Sequence, residues 1–215
     1  MTRIAIMTFE GFNEIDSFVA LNILNRVERK DWSIAIVCPS ESVQSMNGVR
    51  VQGQQPLEFA NEADAVLFGS GRFTQRIAED AATMSRLKLN GERQLIGSQC
   101  SGALMLAKLG LLPTRQACTD RFTRPVVESA GVKVLNQSFF CHGNVATAGG
   151  CLSAYYLAAW VIWRLTEKET ARNALEYVVP VGEESVYIDR ALGIIEQFIY
   201  SGKHRVDERQ SAGCE

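Results

Sequence analysis

The sequence predicts a single-domain α/β protein in three layers, a mostly parallel sheet covered by helices on both faces. Three observations predict this class. Strand patterns and helical patterns alternate from the first residues onward, which is typical of parallel sheets. Four of the strands end in polar or glycine-rich loops. A chain of 215 residues suits one large domain better than two. We expect this domain to span residues 1–200 and a polar tail to follow at 201–215.

The individual elements follow from local patterns. Short apolar runs that end at turn residues predict strands at 3–8, 32–38, 65–68, 95–97, 132–140 and 145–147. Segment 43–53 alternates weakly and predicts a hairpin, because Asn47-Gly48 favours a tight turn. Apolar residues at helical spacing predict helices at 14–27, 75–89, 101–109, 149–165, 167–176 and 185–200.

Composition and charge argue against several classes of protein. Hydrophobic residues make up 47% of the chain and charged residues 21%, which is ordinary for a globular protein. The formal net charge of -2 offers no basic surface, so no nucleic-acid partner is expected. The N-terminus lacks a signal-peptide pattern, and the most apolar segment, 152–165, is shorter than the ~20 residues a membrane helix needs. We therefore expect no membrane association.

The six cysteines lack the spacing of a metal site or of a disulfide framework. There is no CxxC motif, and His142 and His204 are the only histidines. We therefore expect no metal and no cofactor. Reduced thiols fit the cytoplasm, which is the predicted location. The cysteines are Cys38, Cys100, Cys118, Cys141, Cys151 and Cys214.

The strand at 95–97 leads into Cys100, and a helical pattern begins directly after it. Ser98 and Gly102, two positions before and after Cys100, are small, as the strained strand–turn–helix geometry of a nucleophile elbow requires. A helix N-terminus favours thiolate over thiol, and the thiolate is the reactive species. We predict that Cys100 is a nucleophile. The alternative is a half-buried cysteine packed beneath the sheet.

A glycine turn, Gly69-Ser70-Gly71, follows the buried strand at 65–68. Because the carboxyl ends of parallel strands meet at one edge, this turn is expected beside the cysteine. The N–H groups of Ser70 and Ser101 are then candidate donors to a developing oxyanion. The alternative is a glycine turn that merely reverses the chain.

Asp16, after the first strand, is the candidate general acid or base for Cys100, and Glu14 can play the same part. The alternative for either residue is a surface acid that complements the helix dipole. His142 falls at a predicted hairpin tip and His204 in the polar tail, so neither is expected to act as the base of a hydrolase triad. A carboxyl must therefore assist the cysteine.

Thr119 and Asp120 lie between a short strand and a helical segment. They are candidates for contact with substrate, and the alternative is that one of them caps the helix. Cys118 and Cys151 fall in loops near the expected site, and either is a candidate resolving thiol.

The elbow Ser98-Gln99-Cys100-Ser101-Gly102-Ala103, the glycine turn and segment 143–150 resemble the ThiJ/PfpI superfamily over about residues 3–176. The resemblance implies a flavodoxin-like, glutamine amidotransferase-like fold. It is strongest toward the isonitrile hydratase branch and the sensor domains of AraC-type regulators. Asp16 matches the first-loop carboxyl that contacts the cysteine in the family. In two departures, Ser101 stands where other branches often have histidine, and Asp120 where the hydratase branch often has histidine after threonine.

This resemblance implies a cysteine-dependent hydratase or hydrolase. The Cys100 thiolate attacks a small electrophile such as an isonitrile, and Asp16 protonates the adduct without a metal or organic cofactor. A homodimer is implied, since family members usually form one. Three alternatives stay open: a glyoxalase- or deglycase-like enzyme acting on α-oxoaldehydes, an oxidative-stress protein with an oxidisable Cys100, and a non-catalytic small-molecule sensor. The residues after 176 are too few for the helix-turn-helix units of an AraC-type regulator.

Overall fold

The computed structural model describes residues 1–199. The strands of this part of the chain are β1 (Thr2–Met7), β2 (Trp32–Cys38), β3 (Ser42–Gln44), β4 (Arg50–Gln52), β5 (Gln55–Pro56), β6 (Ala65–Phe68), β7 (Leu95–Gln99), β8 (Gln116–Ala117), β9 (Lys133–Val134), β10 (Phe139–His142) and β11 (Val145–Ala148). The helices are α1 (Glu14–Leu24), α2 (Thr74–Glu79), α3 (Ala81–Met84), α4 (Gly102–Lys108), α5 (Arg124–Ser129), α6 (Ala154–Leu165), α7 (Lys168–Glu176) and α8 (Glu184–Ile199).

Seven strands form the central sheet, in the order β10-β11-β7-β6-β1-β2-β5. All neighbours are parallel except β10, which pairs antiparallel with β11 at one edge. Two short sheets stand apart: the β3–β4 hairpin, closed by the predicted Asn47-Gly48 turn, and the pair β8–β9. The predicted class, a mostly parallel sheet between helices, is confirmed.

Side chains of the central strands alternate between two cores, one on each face of the sheet. Ile4 and Ile6 of β1 face the core formed by α1, α6, α7 and α8. Ala5 and Met7 face the other core, to which α2, α4 and α5 contribute. Both faces of β1 are thus buried from Ile4 onward, so this part of the strand is apolar throughout rather than alternating in polarity. The result is the three-layer arrangement.

Several predicted elements are divided in the structure. Segment 75–89 forms two short helices because Asp80 caps α3, its side chain accepting the N–H groups of Ala82 and Thr83. The predicted strand 132–140 is interrupted by a bend at residues 136–138. The long helix begins at Ala154, after a single 3₁₀ turn at Cys151–Ser153. The expected tail, 201–215, with His204 and Cys214, lies outside the described residues.

The register of the sheet brings four strand ends to one edge. Met7 pairs with Phe68, Phe68 with Ser98, and Gln99 with Ala148. The loops after β1, β6, β7 and β11 therefore meet where parallel sheets place their binding sites. Within residues 1–199 no helix is long and apolar enough to cross a bilayer.

Candidate active site

Cys100 occupies a strained turn between β7 and α4. Its φ of 47° lies in the left-handed region, which residues with a side chain rarely adopt. Two hydrogen bonds hold this conformation: Cys100 N–H donates to Ala148 O (2.9 Å), and Thr119 Oγ1 donates to Cys100 O (2.8 Å). The local geometry is that of the predicted elbow. Strain retained by surrounding contacts is a feature of functional sites.

Gly102 must be glycine because the elbow packs against the end of β6. A Cβ at this position would lie 2.8 Å from Phe68 O and 2.9 Å from Gly69 O, both backbone atoms. We expect Gly102→Ala to destabilise the fold by about 1–3 kcal/mol through overpacking. Thermal unfolding followed by circular dichroism measures this loss. Gly193→Ala in α8 is the matched control, because a Cβ there meets no atom within 4 Å. Equal midpoints for the two variants would contradict this explanation.

Asp16 lies in the first turn of α1, and its carboxyl group faces the elbow. The residue is 3% exposed, and Oδ2 accepts the Ser70 N–H (3.1 Å). Oδ1 has no hydrogen-bond partner among the described residues, although it is fully buried. A carboxyl oxygen of Asp16 and the Sγ atoms of Cys100 and Cys151 lie within 4.8 Å of one another. Burial raises the pKa of Asp16 to about 6, which the Ser70 hydrogen bonds only partly offset.

Glu14, the other candidate acid on α1, is directed away from Cys100. Its two carboxylate oxygens accept hydrogen bonds from Ser45 Oγ and from Asn47 Nδ2, in the β3–β4 hairpin. Glu14 therefore anchors that hairpin to α1. Of these two acids, only Asp16 lies within 4.8 Å of the Cys100 and Cys151 sulfurs.

Burial raises the pKa of the Cys100 thiol well above its usual range, and the nearby Asp16 charge raises it further. Both effects oppose the resting thiolate that the helix N-terminus is expected to favour. Helix α4 has only seven residues, and Cys100 is 2% exposed, so loss of solvation outweighs the helix dipole. These shifts favour a Cys100 thiol facing an Asp16 carboxylate at neutral pH, with one proton shared by the pair.

The glycine turn approaches the first loop closely. Phe12 and Gly71 form an isolated antiparallel bridge, and a Cβ at Gly71 would lie 2.6 Å from Gly11 O. The Ser70 N–H, expected to point at an oxyanion, donates to Asp16 instead. The Gly71 N–H donates to Ser101 Oγ (3.2 Å). In this state the turn thus positions the acid, and the Ser70 N–H is not a free donor to an oxyanion.

The side chains around Ser101 and Gly69 fix the same turn. Ser101 Oγ also hydrogen bonds with Thr74 Oγ1 (2.9 Å), which joins α2 to the elbow. A Cβ at Gly69 would lie 3.0 Å from Ser17 Oγ, so glycine lets β6 end directly against α1. The Ser101 N–H is a predicted donor to an oxyanion. The Ser101 hydroxyl, in contrast, joins the elbow to the glycine turn and to α2.

Thr119 and Asp120 lie beside the elbow, with their side chains engaged in structural hydrogen bonds. Thr119 Oγ1 donates to Cys100 O, as described above. Asp120 accepts the N–H groups of Phe122 and Thr123 and the Thr123 hydroxyl, so it caps the turn that leads into α5. The hydrogen bonds of Asp120 are those of the capping alternative, and the Thr119 hydroxyl supports the backbone of Cys100.

His142 lies at the opposite end of the sheet. It is exposed and pairs with Val145, which itself pairs with Ile96 at the start of β7. Because Cys100 follows the far end of β7, His142 is about a strand length away. The carboxyl group that lies within 4.8 Å of both Cys100 and Cys151 is that of Asp16.

Cys151 also belongs to this site. The sequence indicated it only as one of two candidate resolving thiols, together with Cys118. Its Sγ lies within the 4.8 Å cluster and accepts a hydrogen bond from Asn13 Nδ2 (3.1 Å). The Gln99 side chain donates to Gly150 O and so fixes the loop that carries Cys151. The adjacent Gly149-Gly150 turn was the available sequence signal, because it places the next residue beside the elbow. Asp16, Cys100 and Cys151 also form the one group of potential metal ligands found within residues 1–199.

Comparison with known proteins gives the family of the chain. The model of the DJ-1/PfpI family matches residues 2–163. This chain belongs to the DJ-1/PfpI family. No curated protein matches it. Family membership agrees with the ThiJ/PfpI resemblance, whereas the isonitrile hydratase branch is a finer assignment that these comparisons do not single out.

Solved DJ-1/PfpI structures share the fold. DJ-1 of Schizosaccharomyces pombe is 18% identical, with a TM-score of 0.72 over 83% of this chain and 100% of that one. A ThiJ/PfpI family protein from Pseudomonas syringae is 19% identical, with a TM-score of 0.75 over 92% and 87%. Drosophila melanogaster DJ-1beta is 18% identical, with a TM-score of 0.71 over 82% and 97%. At these sequence identities, the similarity shows a shared fold.

The buried Asp16 carboxyl of this DJ-1/PfpI protein should reduce stability at neutral pH. Its pKa of about 6 in the fold exceeds the usual value of 3.8, so the contribution of Asp16 to stability is fully present below pH 4 and is lost as pH rises through 6. Asp16→Asn removes a penalty of about 2–3 kcal/mol above that pH. We expect its thermal midpoint at pH 8 to exceed that of the wild type by roughly 4–10 °C.

The control for this higher thermal midpoint is Glu14→Gln. This variant removes a neighbouring carboxylate of α1 that already accepts hydrogen bonds from Ser45 and Asn47. Calorimetric scans between pH 4 and pH 8 should show no gain for that variant. A midpoint for Asp16→Asn that is unchanged or lowered at pH 8 would contradict the assigned pKa.

Proposed function

We propose that this protein adds water to a small electrophile through covalent attack by Cys100, with Asp16 moving the proton. An isonitrile is the substrate class favoured by the sequence resemblance. The observation that carries the proposal is the buried Asp16 carboxyl, one oxygen unpartnered, within 4.8 Å of the Cys100 Sγ atom. A carboxyl with a pKa of about 6 is suited to accept and return a proton near neutral pH.

The first step uses the resting thiol and carboxylate. As Cys100 Sγ attacks the terminal carbon of R–N≡C, its proton passes to Asp16 and a carbon–sulfur bond forms. Asp16 then gives this proton to the same carbon, which leaves a thioformimidate, R–N=CH–S–Cys100. The reactive form of the pair carries one proton in total, whichever group holds it. The high thiol pKa therefore does not prevent attack, because the base lies beside the thiol.

The second step releases the product. Water attacks the thioformimidate carbon while Asp16 accepts one of its protons. The carbon–sulfur bond breaks, nitrogen and sulfur are protonated, and the products are R–NH–CHO and the free thiol. The balance is one isonitrile and one water consumed for one N-substituted formamide. No step requires a metal or an organic cofactor.

Access to the nucleophile supports a slim substrate. Cys100 is 2% exposed, so only a narrow group can reach Sγ without movement of the loops. The linear N≡C group of an isonitrile is narrow.

The test is incubation of the full-length protein with an alkyl isonitrile, with product analysis by liquid chromatography and mass spectrometry. The proposal predicts the N-alkyl formamide and a trapped thioformimidate on Cys100 after rapid acid quenching. A parallel incubation with methylglyoxal tests the glyoxalase-like alternative. Conversion of methylglyoxal with no formamide would replace the proposed substrate class, and inertness toward both would favour a non-catalytic sensor.

We also propose that the protein is a homodimer in the reducing cytoplasm. The described cysteines are all free thiols, which supports a reducing location. Large apolar side chains are exposed around α7 and α8, at Tyr177, Val181 and Val186, which supports contact with a second copy. Sedimentation velocity tests this proposal, since a monomer at micromolar concentration would contradict the dimer.

A further inference from the structure

Two cysteines from separate loops meet at the site. Cys100 follows β7 and Cys151 follows β11, and their Sγ atoms lie within 4.8 Å of each other. Cys100 N–H donates to Ala148 O at the end of β11, and the Gln99 side chain donates to Gly150 O. The φ of 88° at Gly150 turns the chain so that Cys151 faces the elbow. The backbone thus holds these two sulfurs as neighbours.

We propose that Cys151 is the resolving thiol of Cys100, and that the two form a reversible disulfide after a hydroperoxide oxidises Cys100. The proposed hydration reaction gives Cys151 no part, so this inference goes beyond it. The other described cysteines, Cys38, Cys118 and Cys141, are outside the cluster, and each is buried elsewhere in the core.

The first step consumes the oxidant. Cys100 Sγ attacks one oxygen of ROOH, the O–O bond breaks, and the alkoxide leaves as ROH after taking a proton. The thiol proton, held by the Asp16 carboxylate during the attack, supplies that proton once the sulfenic acid has formed. Cys100–SH and ROOH thus give Cys100–SOH and ROH, with sulfur oxidised and peroxide reduced.

The second step forms the disulfide. The Cys151 thiol gives its proton to Asp16, which lies within 4.8 Å of both sulfurs, and Cys151 Sγ attacks the sulfenic sulfur. The S–O bond breaks, and hydroxide leaves as water with the proton from Asp16. Cys100–SOH and Cys151–SH thus give Cys100–S–S–Cys151 and water. An external dithiol restores both thiols by exchange.

The surroundings of Cys151 favour this role. Cys151 is half-buried whereas Cys100 is 2% exposed, so an external dithiol reaches the pair through Cys151. The hydrogen bond from Asn13 Nδ2 orients Sγ and supports its negative charge during attack. The disulfide would block the nucleophile, and would prevent its further oxidation to sulfinic acid. Oxidation would therefore stop the enzyme reversibly.

The test oxidises the reduced full-length protein with hydrogen peroxide, blocks free thiols with an alkylating agent and maps tryptic peptides by tandem mass spectrometry. Fragment ions are needed because Cys141 and Cys151 share one tryptic peptide, with no lysine or arginine in residues 134–163. We expect a Cys100–Cys151 disulfide that dithiothreitol removes. In Cys151→Ser and in Cys151→Ala, Cys100 should instead accumulate as sulfinic acid roughly tenfold faster than in the wild type.

Cys118→Ala is the matched control, because this fully buried thiol lies on a neighbouring loop and outside the cluster. It should form the disulfide as the wild type does. Equal rates of sulfinic acid formation in the wild type and both Cys151 variants, with no Cys100–Cys151 peptide, would overturn the proposal. No isonitrile enters this experiment, so its failure is distinct from failure of the proposed hydration.

Discussion

Replacement of Cys100 by alanine should lower kcat/KM for an isonitrile by roughly 10⁴-fold or more, because the covalent step then has no nucleophile. The fold should persist, since the side chain that is lost is small and the backbone bonds to Ala148 and Thr119 do not involve sulfur. Steady-state formation of the formamide measures the loss. The thioformimidate trapped by acid quenching should be absent from the variant.

Cys38→Ala is the control for general effects of removing a buried thiol. Cys38 ends β2, and burial raises the pKa of its thiol to about 11. Its removal should leave kcat/KM within about twofold of the wild type. Turnover by Cys100→Ala at a comparable rate would contradict the assignment of Cys100 as nucleophile.

Asp16→Asn should have the second-largest effect, a fall in kcat/KM of about 10²–10⁴-fold. Asparagine can still accept the Ser70 N–H, yet it cannot take up the thiol proton. In the wild type, kcat/KM should rise as pH increases through about 6, where Asp16 ionises and the pair reaches its singly protonated form. The variant should lack this rise.

Glu14→Gln separates a specific effect from a general change of charge on α1. Its carboxylate binds Ser45 and Asn47, so its loss should leave the pH profile near pH 6 unchanged. A pH profile for Asp16→Asn that matches the wild type would show that another group moves the proton.

The fold and the elbow around Cys100 could be predicted because local patterns determine them. The alternation of strands and helices predicts the layers, and small residues at Ser98 and Gly102 predict the elbow around Cys100. Asp16 could be placed beside Cys100 only through the resemblance, because the contact depends on β1, β6 and β7 being neighbours. A single sequence does not contain that strand order.

The protonation state and the loop contacts could not be predicted from the sequence. Burial raises the pKa of Cys100 against the effect of the helix dipole, and the three-dimensional packing around Cys100 determines that burial. The Ser70 N–H was expected to face an oxyanion, and its bond to Asp16 arises from the approach of two loops distant in sequence. The contact of Cys151 with Cys100 depends in the same way on the pairing of β11 with β7.

The proposed function requires that Asp16 control the nucleophilicity of Cys100. The most direct measurement is the rate of Cys100 alkylation by iodoacetamide as a function of pH, read by peptide mass spectrometry, in the wild type and in Asp16→Asn. The wild-type rate should rise through about pH 6 to a plateau. In Asp16→Asn, alkylation should be slow at neutral pH and increase only in the alkaline range, as for a buried thiol without a base. Superimposable pH profiles for the two proteins would contradict this role of Asp16.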